Sequence, residues 1–211
     1  MSQLDISSAS GTPYTVRFEN KSPSAWTVYL YQKMPEQPSD VFSLAWQASP
    51  FKIASGAYFT FKWSIEYSFI WGITGTLTDG VVFEAGQIVD ANLIDRNIIT
   101  FNTNDNTPAF GAATDGGESG ILTIKENKNI PNNLYTTGIG MSKQGTFVQQ
   151  VLANTIQFYT PEPKYHIAVG VGVKMGQVLA HTVSQSSELL FKPNVYNLTA
   201  TLTDSQTWSI S

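Results

Sequence analysis

Proton transfer near neutral pH needs a histidine or a strongly shifted carboxylate, and the 211-residue chain carries only two histidines, His166 in "PKYHIAV" and His181 in "VLAHTVS". Both fall in runs read as strands, His181 on the same side as Leu179 and Val183, where imidazoles serve as satisfied structural groups. The nearest approach to an activated nucleophile is "GIGMSKQG", in which Ser142 stands among Gly138, Gly140 and Gly145. Its spacing is not G-x-S-x-G and no helical pattern follows, so the segment reads as a hairpin turn. "VGVGVKMG" (Val169 to Gly176) lacks the G-x-G-x-x-G step into a helix that a phosphate loop needs, and its glycines read as places where backbones approach closely. The chain has no cysteine, which removes thiolate catalysis, disulfides and thiolate zinc sites.

Two kinds of binding chemistry remain. Hard cations take oxygen ligands, and "TNDNTPAFGAATDGGESG" gathers Asn104, Asp105, Asp115 and Glu118 with Asn102 and Asn106 in one polar stretch. It has no D-x-D-x-D-G pattern, and Asx-rich loops more commonly satisfy their own backbone, so these residues are candidates for polar contacts or calcium while no metal is assigned. Flat ligands such as sugars stack on exposed indoles. Trp26, Trp46, Trp71 and Trp208 are the stacking candidates. Glu66 and Glu84 lie beside aromatic runs, but nothing in their spacing marks a glycosidase pair, and no residue receives a catalytic role.

The elements that must position these side chains are strands. Nearly every segment alternates with a period of two, and the interruptions are clusters of Gly, Pro, Asn, Asp and Ser. "FTFKWSIEYSFIWG" (Phe59 to Gly72) alternates rings or aliphatics with Thr, Lys, Ser and Glu, which predicts one continuous strand of about 43 Å at ~3.3 Å per residue. Its ring face is expected to form a core wall. "YTVRF" and "WTVYLYQKM" flank "ENKSPS" and predict a hairpin. "VFSLAWQA" (Val41 to Ala48) fits a strand or a short helical turn equally well. Asp79-Gly80 marks a turn, and the prolines of "TPEPKY" mark an edge or corner. "NIITFN", "ILTIKEN" and the closing "YNLTATLTDSQTWSIS" add strands and a terminal hairpin. The expected fold is all-β, an antiparallel two-sheet β-sandwich or flattened barrel of roughly a dozen strands with at most one or two short helical turns. It is read as one domain over 1–211, with 1–12 a polar lead-in and 102–119 a long polar loop.

Composition narrows the partners. Hydrophobic residues make up 42% of the chain, charged residues only 13%, and the net charge is -4. Such a chain does not attract phosphate backbones, so nucleic acid is not expected. An inserted hairpin needs two long adjacent amphipathic strands, and only residues 59–71 have the length, which argues against membrane insertion. The start "MSQLDISSASGTP" lacks a basic, apolar leader. A cytoplasmic location is expected, with leaderless export left open.

The segments "AWTVYLYQKMPEQPSDVFSLAWQASP", "FKWSIEYSFIWGITGTL" and "GIGMSKQGTFVQQVLANTIQFYTPEPKYHIAVG" together resemble the RhiA-like family, small bacterial proteins named for a rhizosphere-expressed, quorum-sensing-controlled member. The resemblance covers nearly the whole chain in collinear order. It implies an abundant soluble protein and carries over no catalytic residue and no cofactor. The resulting expectation is a non-enzymatic protein that binds or self-assembles, its main partner a second copy of itself. The alternative is a lectin-like module for a carbohydrate or small aromatic ligand. A membrane-active β protein is weaker.

Overall fold

The computed structural model describes residues 11–104, 107–162 and 164–211. Seventeen strands follow one another without a helix among the described residues. They are β1 (Tyr14–Asn20), β2 (Thr27–Lys33), β3 (Val41–Ser43), β4 (Gln47–Ala48), β5 (Tyr58–Trp63), β6 (Tyr67–Ile73), β7 (Gln87–Asp90), β8 (Ile98–Asn104) and β9 (Thr107–Phe110), then β10 (Leu122–Glu126), β11 (Tyr135–Met141), β12 (Gln144–Gln150), β13 (Ile156–Tyr159), β14 (Lys164–Gly170), β15 (Ser186–Glu188), β16 (Asn197–Leu202) and β17 (Trp208–Ile210).

The class is all-β, but the strands form four sheets rather than two. Sheet β17-β16-β1-β5 faces sheet β15-β14-β2-β4 across a core built from Val16, Phe18, Leu30, Trp63, Ile167 and Leu202. Sheet β3-β12-β11-β6-β7 faces sheet β13-β10-β8-β9 across a second core that includes Phe69, Phe101, Ile124, Ile139, Phe147 and Tyr159. The molecule is thus two face-to-face stacks, and residues 67–159 supply every strand of the second except β3. Pairing is mainly antiparallel. The expectation of a purely antiparallel fold fails at two ladders, β1 with β16 and β8 with β10, which run parallel.

Several local expectations are corrected for the same reason: the turn chemistry was legible, but not which sheet the chain turns into. "ENKSPS" does not close a β1–β2 hairpin; β1 pairs with β16 and β5, and β2 with β14 and β4. The fully buried Asn20 holds this crossover, donating from Nδ2 to the carbonyls of Ser24 (2.7 Å) and Ile53 (2.9 Å) and accepting from Ser22. "VFSLAWQA" is extended throughout, as β3, a bridge from Leu44 to Val178, and β4. The polar stretch 102–119 is shorter as a loop than expected, because β8 and β9 pair up to Asn104 and Thr107. By contrast Gly80 sits at positive φ in a turn where Val81 N–H bonds Thr78, and "TPEPKY" lies between strands of two different sheets.

The predicted 13-residue strand is two strands in two stacks. β5 belongs to the first and β6 to the second. Phe61 and Trp63 enter one core, Phe69 and Trp71 the other, and Ile65 between them is exposed. The break is stabilised from a distance. Ser142 and Lys143, both at positive φ, form the two-residue turn between β11 and β12, the geometry that favours tight hairpins and is usually taken by Asn-Gly. Ser142 Oγ accepts from Ser64 N–H (2.9 Å) and donates to Ser64 O (2.6 Å), while its own N–H bonds Glu66 O (2.9 Å). Next to it, Met141 O accepts from the indole of the fully buried Trp46 (2.9 Å). This turn is the joint between the stacks.

Ser142→Ala removes two hydrogen bonds at that joint and leaves the Ser64 amide without its partner. The expected loss is about 1–3 kcal/mol, a fall of roughly 2–4 °C in melting temperature for each kcal/mol in a chain of this size. Ser209→Ala, on exposed β17, is expected to stay within about 0.5 kcal/mol. Equal melting temperatures for both variants in differential scanning calorimetry would remove Ser142 from this role.

Candidate functional site

The four tryptophan candidates do not form a stacking platform. Trp46 is fully buried, edge-on to Trp63 with ring centres 5.3 Å apart. Trp71 is buried too, its Nε1 on Gln87 Oε1 (2.9 Å) and its ring against Phe101 and Tyr135. Both are core residues, a correction set by burial. Trp26 and Trp208 are half-buried at the margin of the first core. Trp26 donates to Ser22 Oγ (3.1 Å), Trp208 to Gln185 O (3.1 Å).

The polar stretch is likewise dispersed. Asn104 ends β8 and accepts from Asn102 (3.2 Å), whose own oxygen takes Asn127 (3.1 Å). Asp115 borders an open hollow of about 250 Å³ with Thr100 and Lys125, and Glu118 contributes its backbone carbonyl to Asn97 (3.0 Å). Asp105 lies outside the described residues. Among the described residues no group of three or more His, Asp or Glu side chains stands close enough to hold a metal ion.

One buried carboxylate escaped the sequence reading. Glu126 closes β10 at 4% exposure, between β11 and β13. Its Oε1 receives Thr137 Oγ1 (2.9 Å) and Gln157 Nε2 (2.7 Å), its Oε2 the Leu152 N–H (3.0 Å) and the Thr155 hydroxyl. Tyr159 donates to the other side of Gln157 (2.9 Å). Burial pushes the Glu126 carboxyl above its ordinary value, and the Thr155, Thr137, Leu152 and Gln157 donors pull the other way. These contacts tie three strands together through one carboxylate.

Two features are open to partners. The first is a cavity of about 110 Å³ on the outer face of β2, closed by the segment around Leu179 to Val183 and reached also by Gln37 and Ser43. Tyr31 lines it at 1% exposure; its hydroxyl makes no well-formed hydrogen bond, and the Ser186 hydroxyl beside it itself donates to Val183 O (3.0 Å). Burial raises the Tyr31 phenol, with the nearby Ser186 hydroxyl acting in the opposite sense. Both histidines converge here. His166, across the β2–β14 ladder, stacks on the Tyr31 ring at 5.0 Å, and burial lowers its pKa. His181 is not in a strand, as its alternation suggested, but in an exposed loop at the rim, packed on Phe42 (5.5 Å).

The second feature is the edge of the sheet β13-β10-β8-β9. Among the described residues β13 pairs only with β10. The bond from Glu126 N–H to Thr155 O sets the phase of that ladder, so the backbone groups of Ile156 and Phe158 point away from β10. Their side chains are 50% and 60% exposed on the outer face, and Gln157 and Tyr159 are buried on the inner one. No charged residue occurs between Lys143 and Glu162.

If Glu126 is held mainly by these donors, Glu126→Gln is expected to lower stability by about 1–3 kcal/mol. The pH dependence has a definite sign. A carboxyl whose pKa is raised on folding gives its full stabilisation below the ordinary value of 4.5 and loses it as pH rises through the folded value. Denaturation measured from pH 4 upward, to about pH 8, should therefore show the gap between wild type and variant narrowing as pH rises. A constant gap would mean that the carboxyl titrates alike in both states.

No solved structure matches the chain. It is 41% identical over 204 residues to Protein RhiA of Rhizobium leguminosarum bv. viciae, covering 96% of this chain and 88% of that protein. The RhiA family model matches residues 11–211, a span that holds every strand of both stacks together with the Tyr31 cavity and the β13 edge, and the chain belongs to the RhiA family.

Proposed function

We propose that the protein works without catalysis, by associating with further copies of itself along β13. The observation that carries this reading is the bare edge: two residues, Ile156 and Phe158, present unpaired backbone groups and exposed apolar side chains at once. Edge strands of monomers are normally blunted by charge, proline or a bulge. Here the flanking sequence from Gln144 to Thr160 carries none of these charges or prolines. A second β13, antiparallel about a two-fold axis, satisfies the same backbone groups on both copies. Beside the edge, a hollow of about 410 Å³ lined by Met34, Pro35, Pro38 and Phe158 together with Glu36 and Glu162 offers room for a partner's side chain.

The lectin-like alternative draws no comparable support, because two of its four indoles are spent in the cores. Sedimentation velocity over about a hundredfold range of protein concentration tests the assembly reading, since association follows mass action. Wild type is expected to shift to a dimer or larger species, and Phe158→Lys to remain a monomer with an unchanged far-ultraviolet spectrum. A wild type that stays monomeric throughout, or a Phe158→Lys variant that associates equally, would overturn it.

A further inference from the structure

The cavity behind Tyr31 carries a second and independent inference. A buried hydroxyl without a partner leaves a desolvated donor, which native structures rarely tolerate unless something else completes it. Tyr31 is such a group, and the space it lines is well above the ~10–15 Å³ that one water needs. A ligand of several heavy atoms fits.

Among the described residues the only charged side chain lining it is a cation. Lys33 lines the cavity, its Nζ 5.9 Å from the Tyr31 ring centre. Directly opposite Lys33 on the β2–β14 ladder stands Lys164, and like charges in that position repel. Neither lysine takes part in an ion pair found among the described residues. His181 adds a further nitrogen base at the rim, and no carboxylate lines the space. Glu188, opposite His166 on β15, is the acidic group nearest in register and lies outside the lining. In a chain of net charge -4, this is a local positive field with a buried donor at its floor. The rest of the wall joins the polar Gln37 and Ser43 to an apolar side made by Met34, Leu179 and Val183.

We infer that this cavity is a binding site for a small oxyanion with an apolar tail, a short-chain carboxylate. The carboxylate accepts from the Tyr31 hydroxyl and neutralises Lys33, while the alkyl end rests on Leu179, Met34 and Val183. The charge-assisted bond to Lys33 and the desolvated phenol bond are the stronger kinds of hydrogen bond available here. The site needs neither β13 nor its association, so it stands or falls separately from the assembly reading.

Titration calorimetry and thermal unfolding with sodium acetate, propionate and butyrate test the assignment, with sodium phosphate and sodium chloride as comparison arms. Wild type is expected to bind propionate or butyrate and to gain several degrees in melting temperature at about 100 times the dissociation constant. Tyr31→Phe and Lys33→Met should each weaken binding by about tenfold or more. Tyr31→Phe is the sharper probe. It removes a hydroxyl that makes no well-formed hydrogen bond, so the unliganded variant should stay within about 0.5 kcal/mol of wild type in stability, and lost binding is then not ascribed to lost folding. No carboxylate binding, a shift equalled by chloride, binding of phosphate alone, or a Tyr31→Phe variant that binds as tightly as wild type would each overturn the assignment.

Discussion

A backbone amide turned away from its sheet needs another partner, and at the part-buried Ser64 that partner comes from 78 residues along the chain, in the Ser142 hydroxyl. The rest of the architecture depends on this contact. Without it, the run from Phe59 to Trp71 has every local reason to continue as one strand, and one strand cannot serve two cores. With it, β5 and β6 part company, and each delivers its rings to a different stack. Lys143 follows Ser142 into positive φ, and neither is glycine, so the turn costs some backbone strain. Three hydrogen bonds to the break and the neighbouring Trp46–Met141 bond offset it.

The joint also explains how far the amino-acid sequence could be read. Alternation identifies strands because side chains on a pleated backbone point to opposite faces, and that signal found most of the seventeen. It cannot report a break that preserves parity. Trp63, Ile65, Tyr67 and Phe69 keep the same spacing whether the backbone is continuous or not, although Ile65 is exposed and its neighbours are not. "ENKSPS" has sound turn chemistry, but whether a turn closes a hairpin or crosses to another sheet depends on strands met much later, β16 among them. Two stacks rather than one sandwich follow from those remote pairings. The "GIGMSKQG" turn, by contrast, was legible because a two-residue hairpin is specified locally.

The open features were hidden for the same physical reason. Tyr31 and His166 meet only through the register of β2 with β14, and His181 joins them from a loop. Each histidine alone reads as a structural residue. A free edge is not a property of a strand but of its place in the order of a sheet, so "TIQFYT" shows its lack of charge and not its exposure. Glu126 illustrates the converse. A lone carboxylate near a strand end looks ordinary until burial and four donors surround it.

Low charge ties these observations together. With few ionised groups, the interior is organised by amides and hydroxyls, Asn20 at the crossover, Ser142 at the joint, Gln157 beside Glu126. Such networks give direction without the desolvation cost of buried ion pairs. The same scarcity leaves two surfaces unguarded, in opposite ways. Within β13 itself no charge opposes pairing with another strand, and the nearest carboxylates, Glu36 and Glu162, stand in the hollow beside Phe158. Beside Tyr31 no carboxylate answers the two facing lysines. Met34 borders both, lining the cavity and the hollow beside Phe158, so a neutral edge and a cationic hollow adjoin at one residue. They call for different partners: the edge needs a backbone, which a second strand supplies, and the hollow needs an anion, which a strand as poor in acidic residues as β13 does not carry.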